Sequence, residues 1–239
     1  MALLGRRHDV GIGIVEVILV QKKSFRVLRR ECYLAAYGAA RTIKSAFVGR
    51  PVESRYKLHW VSPKDIHCAV TGPTSRKTGL FIPYIEDSDW DRLLDLPESD
   101  SLLGDLSLLP TGKIPIERMD IYQAFQDRFL GGHPWQTTDM FARVSNQIAC
   151  GQRKWNCGSV QEFEARLASM DRLYEAIQND GYKTQEELGT KKVWHEIAIG
   201  EARDGELVLV DGRHRFLMCK MLGVDPVPTV VAVKHRARS

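Results

Sequence analysis

Five consecutive residues near the C-terminus, Asp211-Gly-Arg-His-Arg215, combine a carboxylate, a glycine, two guanidinium groups and an imidazole within one short stretch. They stand between an apolar β-branched run, Leu207 to Val210, and a stretch with helical spacing that ends at Gly223. The pattern reads as strand, tight turn, helix, with Gly212 to Arg215 at the helix N-terminus. A helix start offers unpaired N–H groups and a partial positive charge, so an anion is the natural guest, a phosphate above all. Gly212 lets the backbone approach that anion, Arg213 and Arg215 neutralise it, and His214 donates a hydrogen bond or orients the turn. The plain alternative is that the arginines are solvated and His214 is structural, although cations at a helix start oppose the dipole.

Two carboxylates are candidates to accept a proton from a hydroxyl: Asp211 beside the turn, and Glu196 on the strand expected to face it. His195 and Glu196 point to opposite sides of that strand by alternation. Trp135 with Thr137 and Thr138, and Arg153 with Trp155, lie in polar connections and contribute either to a site or to packing.

The order strand, Asp-Gly-x-His-Arg, helix, Leu222-Gly223, Val227-Pro228, strand resembles the phosphate-binding signature of the ParB/sulfiredoxin superfamily. Upstream, Met170 to Gly181 is similar to the helix that precedes the sheet in that superfamily. The resemblance covers roughly Asp171 to Val233 and implies a nucleotide held by its phosphates. Sulfiredoxin chemistry is not expected, because Arg213 stands where that family has its reactive cysteine. Chromosome partition is not expected either, since no helix-turn-helix pattern follows the turn. The resemblance lies nearest the free-serine kinase branch and implies phosphoryl transfer from ATP or another nucleotide, with Mg2+, to a small hydroxyl-bearing substrate. On that reading Asp211, Glu196 and His214 are catalytic, and Gly212, Arg213, His214 and Arg215 bind the nucleotide. Two other readings stay open: a nucleic-acid-binding protein or nuclease whose turn grips a backbone phosphate, and a non-catalytic nucleotide-responsive module that docks on a membrane or partner.

The elements that position these residues read as an α+β chain of 239 residues. The resemblance implies that residues 111–239 form the superfamily's mixed sheet with helices, and residues 1–110 are expected to form a distinct mixed α/β lobe. The boundary rests on charge and pattern. Met1 to Lys57 holds 12 Lys/Arg against 4 Asp/Glu, whereas Ile85 to Asp127 holds 3 against 11. The two blocks either attract each other or leave the basic one for nucleic acid or lipid headgroups.

In the first half, Val10 to Val20 and Leu80 to Ile85 read as strands, Lys57 to Ile66 as a strand followed by a turn at Ser62-Pro63, and Ser24 to Val48 as a basic amphipathic helix suited to packing or to a membrane surface. In the second half, helices are expected over 115–130, 136–150 and 160–179, the last started by a Ser159/Glu162 capping box. Strand 194–201 pairs with strand 206–210 through an Asp204-Gly205 turn. The expected core is Phe216, Leu217, Met221, Leu222, Val208, Val210, Val230 and Ala232. Five cysteines without zinc-like spacing, and no apolar run long enough to span a bilayer, suggest reduced thiols in a cytoplasmic protein. The sequence specifies no metal ligand set and no oligomeric state.

Overall fold

The apolar run Leu207–Asp211 (β5) pairs antiparallel with Ile197–Glu201 (β4), and the turn between them closes through Ala202 N–H donating to Glu206 O at 2.9 Å. This is the hairpin expected around Asp204-Gly205. The computed structural model describes residues 57–72, 89–96, 102–190 and 195–238, and its α+β architecture is that of a mixed sheet carrying helices. Leu58–Val61 (β1), Cys68–Thr71 (β2), Gly112–Pro115 (β3) and Val227–Lys234 (β6) complete a six-stranded sheet of order β1-β6-β4-β5-β2-β3. β2 runs parallel to β5 and β6 parallel to β4, while β1 and β3 pair antiparallel at the edges.

Placing Leu58 to Thr71 in a lobe separate from residues 111–239 is therefore corrected: β1 and β2 are strands of the same sheet. Leu58 pairs with Val230 and Cys68 with Val208, contacts so distant in sequence that no local signal announces them. The runs expected at Val10–Val20, Ser24–Val48 and Leu80–Ile85 lie outside the described residues.

Alternation along β5 divides the core. Val208 and Val210 face one side with Cys68, Val70, Ala198 and Trp90; Leu209 faces the other with Ala69, Ile114, Ile197 and Ile199. Trp90 lies so close to β4 that a Cβ on Gly200 would come within 2.7 Å of its ring, so only glycine allows that approach. Next to it, Asp91 takes the Arg203 guanidinium through both carboxylate oxygens, at 2.7 to 3.0 Å.

Helices cover the Leu209 face. Asp120–Phe125 (α1) follows a 3-10 turn and continues as a π-helical turn over Gln126–Leu130, so the single helix expected over 115–130 is broken up. Asp139–Ala149 (α2) is capped by Thr138, whose hydroxyl accepts from Phe141 N–H at 3.2 Å. Val160–Asp180 (α3) starts at Ser159, which accepts from Glu162 N–H, and Glu162 in turn accepts from Gly158 rather than from Ser159. Its buried stripe is Phe163, Leu167, Met170, Tyr174 and Ile177, the three-to-four spacing of one helical face.

Arg213–Leu222 (α4) ends at Gly223 in the left-handed region. α4 buries Phe216, Leu217, Met218 and Cys219 in succession, because the sheet, α1, α3 and the Pro63–Asp65 turn surround it. Lys220 Nζ closes the last of these contacts by donating to Pro63 O at 2.9 Å and Ile66 O at 3.0 Å. Met221, Leu222 and Ala232, expected in the core, are only half-buried.

Leu217→Ala should therefore cost about 2–5 kcal/mol, and Leu222→Ala clearly less, since only the first empties a closed site. Urea denaturation of both variants checks this, and equal losses would contradict the packing described.

Candidate functional site

The chain leaves β5 and enters α4 in one step, and Gly212 takes that step at φ 79°, ψ 23°. A Cβ there would sit 3.0 Å from the Ile197 Cα on β4, so both the backbone angle and the space call for glycine. No side chain caps the first turn of α4. The N-cap itself is a glycine and brings no side chain to the amides of that turn. Asp211 is exposed, and its Oδ1 accepts from Gly212 N–H at 2.8 Å, which keeps a carboxylate at the rim of the turn.

The three basic residues of the motif go to three different environments. Arg213 is half-buried and donates through Nη2 to Val70 O on β2 at 3.2 Å. His214 turns into an aromatic cluster, stacked on Phe125 with ring centres 5.9 Å apart and tilted against Trp155 at 4.7 Å. Burial, helped by the charges of Arg166, Arg213 and Arg215 and opposed by Asp211, pushes its pKa down to about 4. His214 is therefore a neutral wall of the site at ordinary pH, not one of its cations.

Arg215 points back into the protein. Its Nη1 donates to the Tyr182 hydroxyl at 3.0 Å, its Nη2 donates to the His195 carbonyl, and Nη1 lies 4.0 Å from Glu196 Oε2. Glu196 sits just before β4 and is 3% exposed. One of its oxygens accepts from Tyr182 and the other from Gln185 N–H. Both oxygens are thus engaged inside the fold, and a carboxylate so placed is a structural counter-charge for Arg215 rather than a base open to substrate. Of the residues assigned from sequence, the structure brings Asp211, Gly212, Arg213 and His214 to the turn, and sets Glu196 and Arg215 behind it.

Sequence reasoning passed over Tyr182, Phe125 and Arg166. Tyr182 follows Gly181 in what reads as a plain connection, and nothing local marks it. Trp155 was visible but its geometry was not. Trp155 and Asn156 both adopt positive φ, 51° and 64°, in a tight turn closed by Lys154 N–H to Cys157 O at 3.1 Å and Cys157 N–H to Lys154 O at 2.6 Å. Asparagine tolerates that conformation, whereas for the bulky tryptophan it costs of order 1–3 kcal/mol. The turn is held by Lys154 Nζ on Asp105 Oδ2 at 2.6 Å and by the Trp155 ring packed edge-on to Phe163 and against His214. By contrast Trp135, which donates to Asp171 at 3.0 Å, and Thr137 and Thr138, which bond neighbouring carbonyls, belong to ordinary packing and capping.

The donor set suits a phosphate better than a metal. The amides at the start of α4 and the Arg213 guanidinium are donors, whereas among the described residues no group of three His, Cys, Asp or Glu could hold a metal ion. The turn's own carboxylate, Asp211, is not enough to hold a Mg2+ ion, which would have to arrive with the phosphates and draw its shell from them and from water. Two buried thiols near the turn and sheet are not poised for chemistry: burial pushes Cys219 up to about 12 and Cys68 up to about 11. Among the described residues no helix is long and apolar enough to cross a membrane. No family model, curated protein or solved structure matches the chain.

Two outcomes follow from this geometry. Gly212→Ala should destabilise the protein by about 1–3 kcal/mol through backbone strain and the clash with Ile197, read as a lower melting temperature. His214 binds a proton less readily in the folded state than in the unfolded one. Its contribution is complete above the unfolded value near 6.5 and declines as pH falls toward 4, by at most about 3 kcal/mol. His214→Phe keeps the ring stacking and should flatten the melting temperature between pH 6.5 and 4; an unchanged slope would place His214 in solvent.

Proposed function

We propose that the protein binds a nucleotide through its phosphates at the Gly212–Arg215 turn and transfers a phosphoryl group to a small hydroxyl-bearing substrate. The observation that carries this reading is the start of α4 at a left-handed glycine N-cap pressed on β4. Such a turn aims backbone amides at one point, and a phosphate is the anion with enough acceptor oxygens to use them together. The ParB/sulfiredoxin resemblance of the Asp-Gly-Arg-His-Arg stretch supports the same ligand, and the kinase branch of that superfamily supports the reaction.

The roles differ from those the motif alone implies. Arg213 supplies the side-chain charge beside the amides, and neutral His214 forms an apolar wall with Phe125 and Trp155 that sharpens electrostatics by excluding water. Asp211 accepts the hydroxyl proton, since it is the exposed carboxylate at the rim while Glu196 is committed to Tyr182 and Gln185. Mg2+, when bound with the phosphates, supplies the charge neutralisation that phosphoryl transfer requires. Arg215 and Glu196 keep the turn in place.

Calorimetric titration of ATP, ADP and CTP, with and without Mg2+, tests the reading. Wild type should bind at least one of them, and Arg213→Ala should bind about ten- to hundredfold more weakly, the loss of one charge-assisted contact. Asp211→Asn should keep the affinity and lose turnover of the hydroxyl acceptor. No heat with any nucleotide, together with DNA binding that falls steeply with salt, would replace this reading by the nucleic-acid one.

A further inference from the structure

We infer that Tyr182 is the positioning residue of the Gly212–Arg215 turn: its hydroxyl bridges the buried Glu196 carboxylate and the Arg215 guanidinium and so fixes the first turn of α4 against the start of β4. The hydroxyl donates to Glu196 Oε2 at 2.8 Å and accepts from Arg215 Nη1 at 3.0 Å. Arg215 and Glu196 are themselves 4.0 Å apart, so the hydroxyl is what joins them at hydrogen-bond distance. Three segments meet here: the connection after α3 through Tyr182 and Gln185, the start of β4 through His195 and Glu196, and α4 through Arg215.

The bridge answers two problems at once. An arginine in the first turn opposes the helix dipole, and the Glu196 charge offsets it. A carboxylate buried to 3% exposure needs its oxygens bonded, and the hydroxyl supplies one of those bonds. Burial also raises the Tyr182 hydroxyl well above its ordinary pKa, so it remains a donor at every working pH. Arg215 is three residues past Gly212, so holding its side chain sets the rotation of the first turn and the direction in which the leading amides point. The consequence for nucleotide affinity rests on the proposed phosphate site; the ordering of the turn does not.

Hydrogen exchange at the Phe216 amide, the first bonded into α4 through Gly212 O at 3.0 Å, reads the positioning directly. Tyr182→Phe keeps the ring and should speed that exchange roughly tenfold while amides paired across β4 and β5 stay unchanged. Arg215→Lys keeps the charge but cannot reach both Tyr182 and the His195 carbonyl, and should give the same acceleration. Tyr174→Phe, which removes the hydroxyl of a tyrosine stacked on Phe129 at 4.0 Å, should give none. ATP affinity should fall about tenfold in Tyr182→Phe and Arg215→Lys and hold in Tyr174→Phe. Unchanged exchange at Phe216 in the first two variants would overturn the positioning role, whereas faster exchange with full ATP affinity would uphold it and remove the phosphate site from the turn. If wild type takes up no ATP while exchange changes as described, the proposed function fails and the positioning role stands.

Discussion

The close approach of Gly212 to Ile197 governs the local architecture. Because a Cβ at 212 would meet the β4 backbone at 3.0 Å, the chain can turn out of β5 at once and lay α4 across the sheet. That placement lets Phe216 and Leu217 seal the helix-covered face and lets Lys220 reach the carbonyls of Pro63 and Ile66. It also leaves the leading amides of α4 without a capping side chain. The same glycine thus sets both the packing of α4 on the sheet and the start of the helix at which we propose an anion binds.

Charge at that rim is arranged rather than accumulated. Three cations would repel one another and oppose the dipole of α4. The structure avoids this by compensating Arg215 internally with Glu196 and by keeping His214 neutral among Phe125 and Trp155. Arg213 is anchored to Val70 O on β2, and Asp211 stands as an exposed carboxylate at the end of β5. The strained Lys154–Cys157 turn belongs to the same arrangement, since it presses Trp155 onto His214.

The sequence made the strand, turn and helix from Leu207 to Gly223 legible because each step has a local cause: β-branched alternation, a glycine at the break, another at the helix end. The Asp204-Gly205 hairpin and the Ser159 cap were readable for the same reason. What could not be read is non-local. β1 and β2 carry ordinary apolar patterns that do not say which strands they join, so a boundary near residue 110 looked natural. Motif chemistry placed Arg215 and Glu196 in the site, and only the fold reveals that Tyr182 draws both inward. The burial of Met218 and Cys219 likewise depends on neighbours on every side of α4, whereas helical periodicity assumes one apolar face.

The central claim is that the first turn of α4 receives a phosphate through its backbone. An NMR titration of the 15N-labelled protein with inorganic pyrophosphate and with ATP tests it most directly. Saturable shifts at the amides of Arg213, His214 and Arg215, larger than those anywhere else in the chain and weakened in Arg213→Ala, are the predicted result. Shifts that leave these three amides in place while moving others would contradict the account.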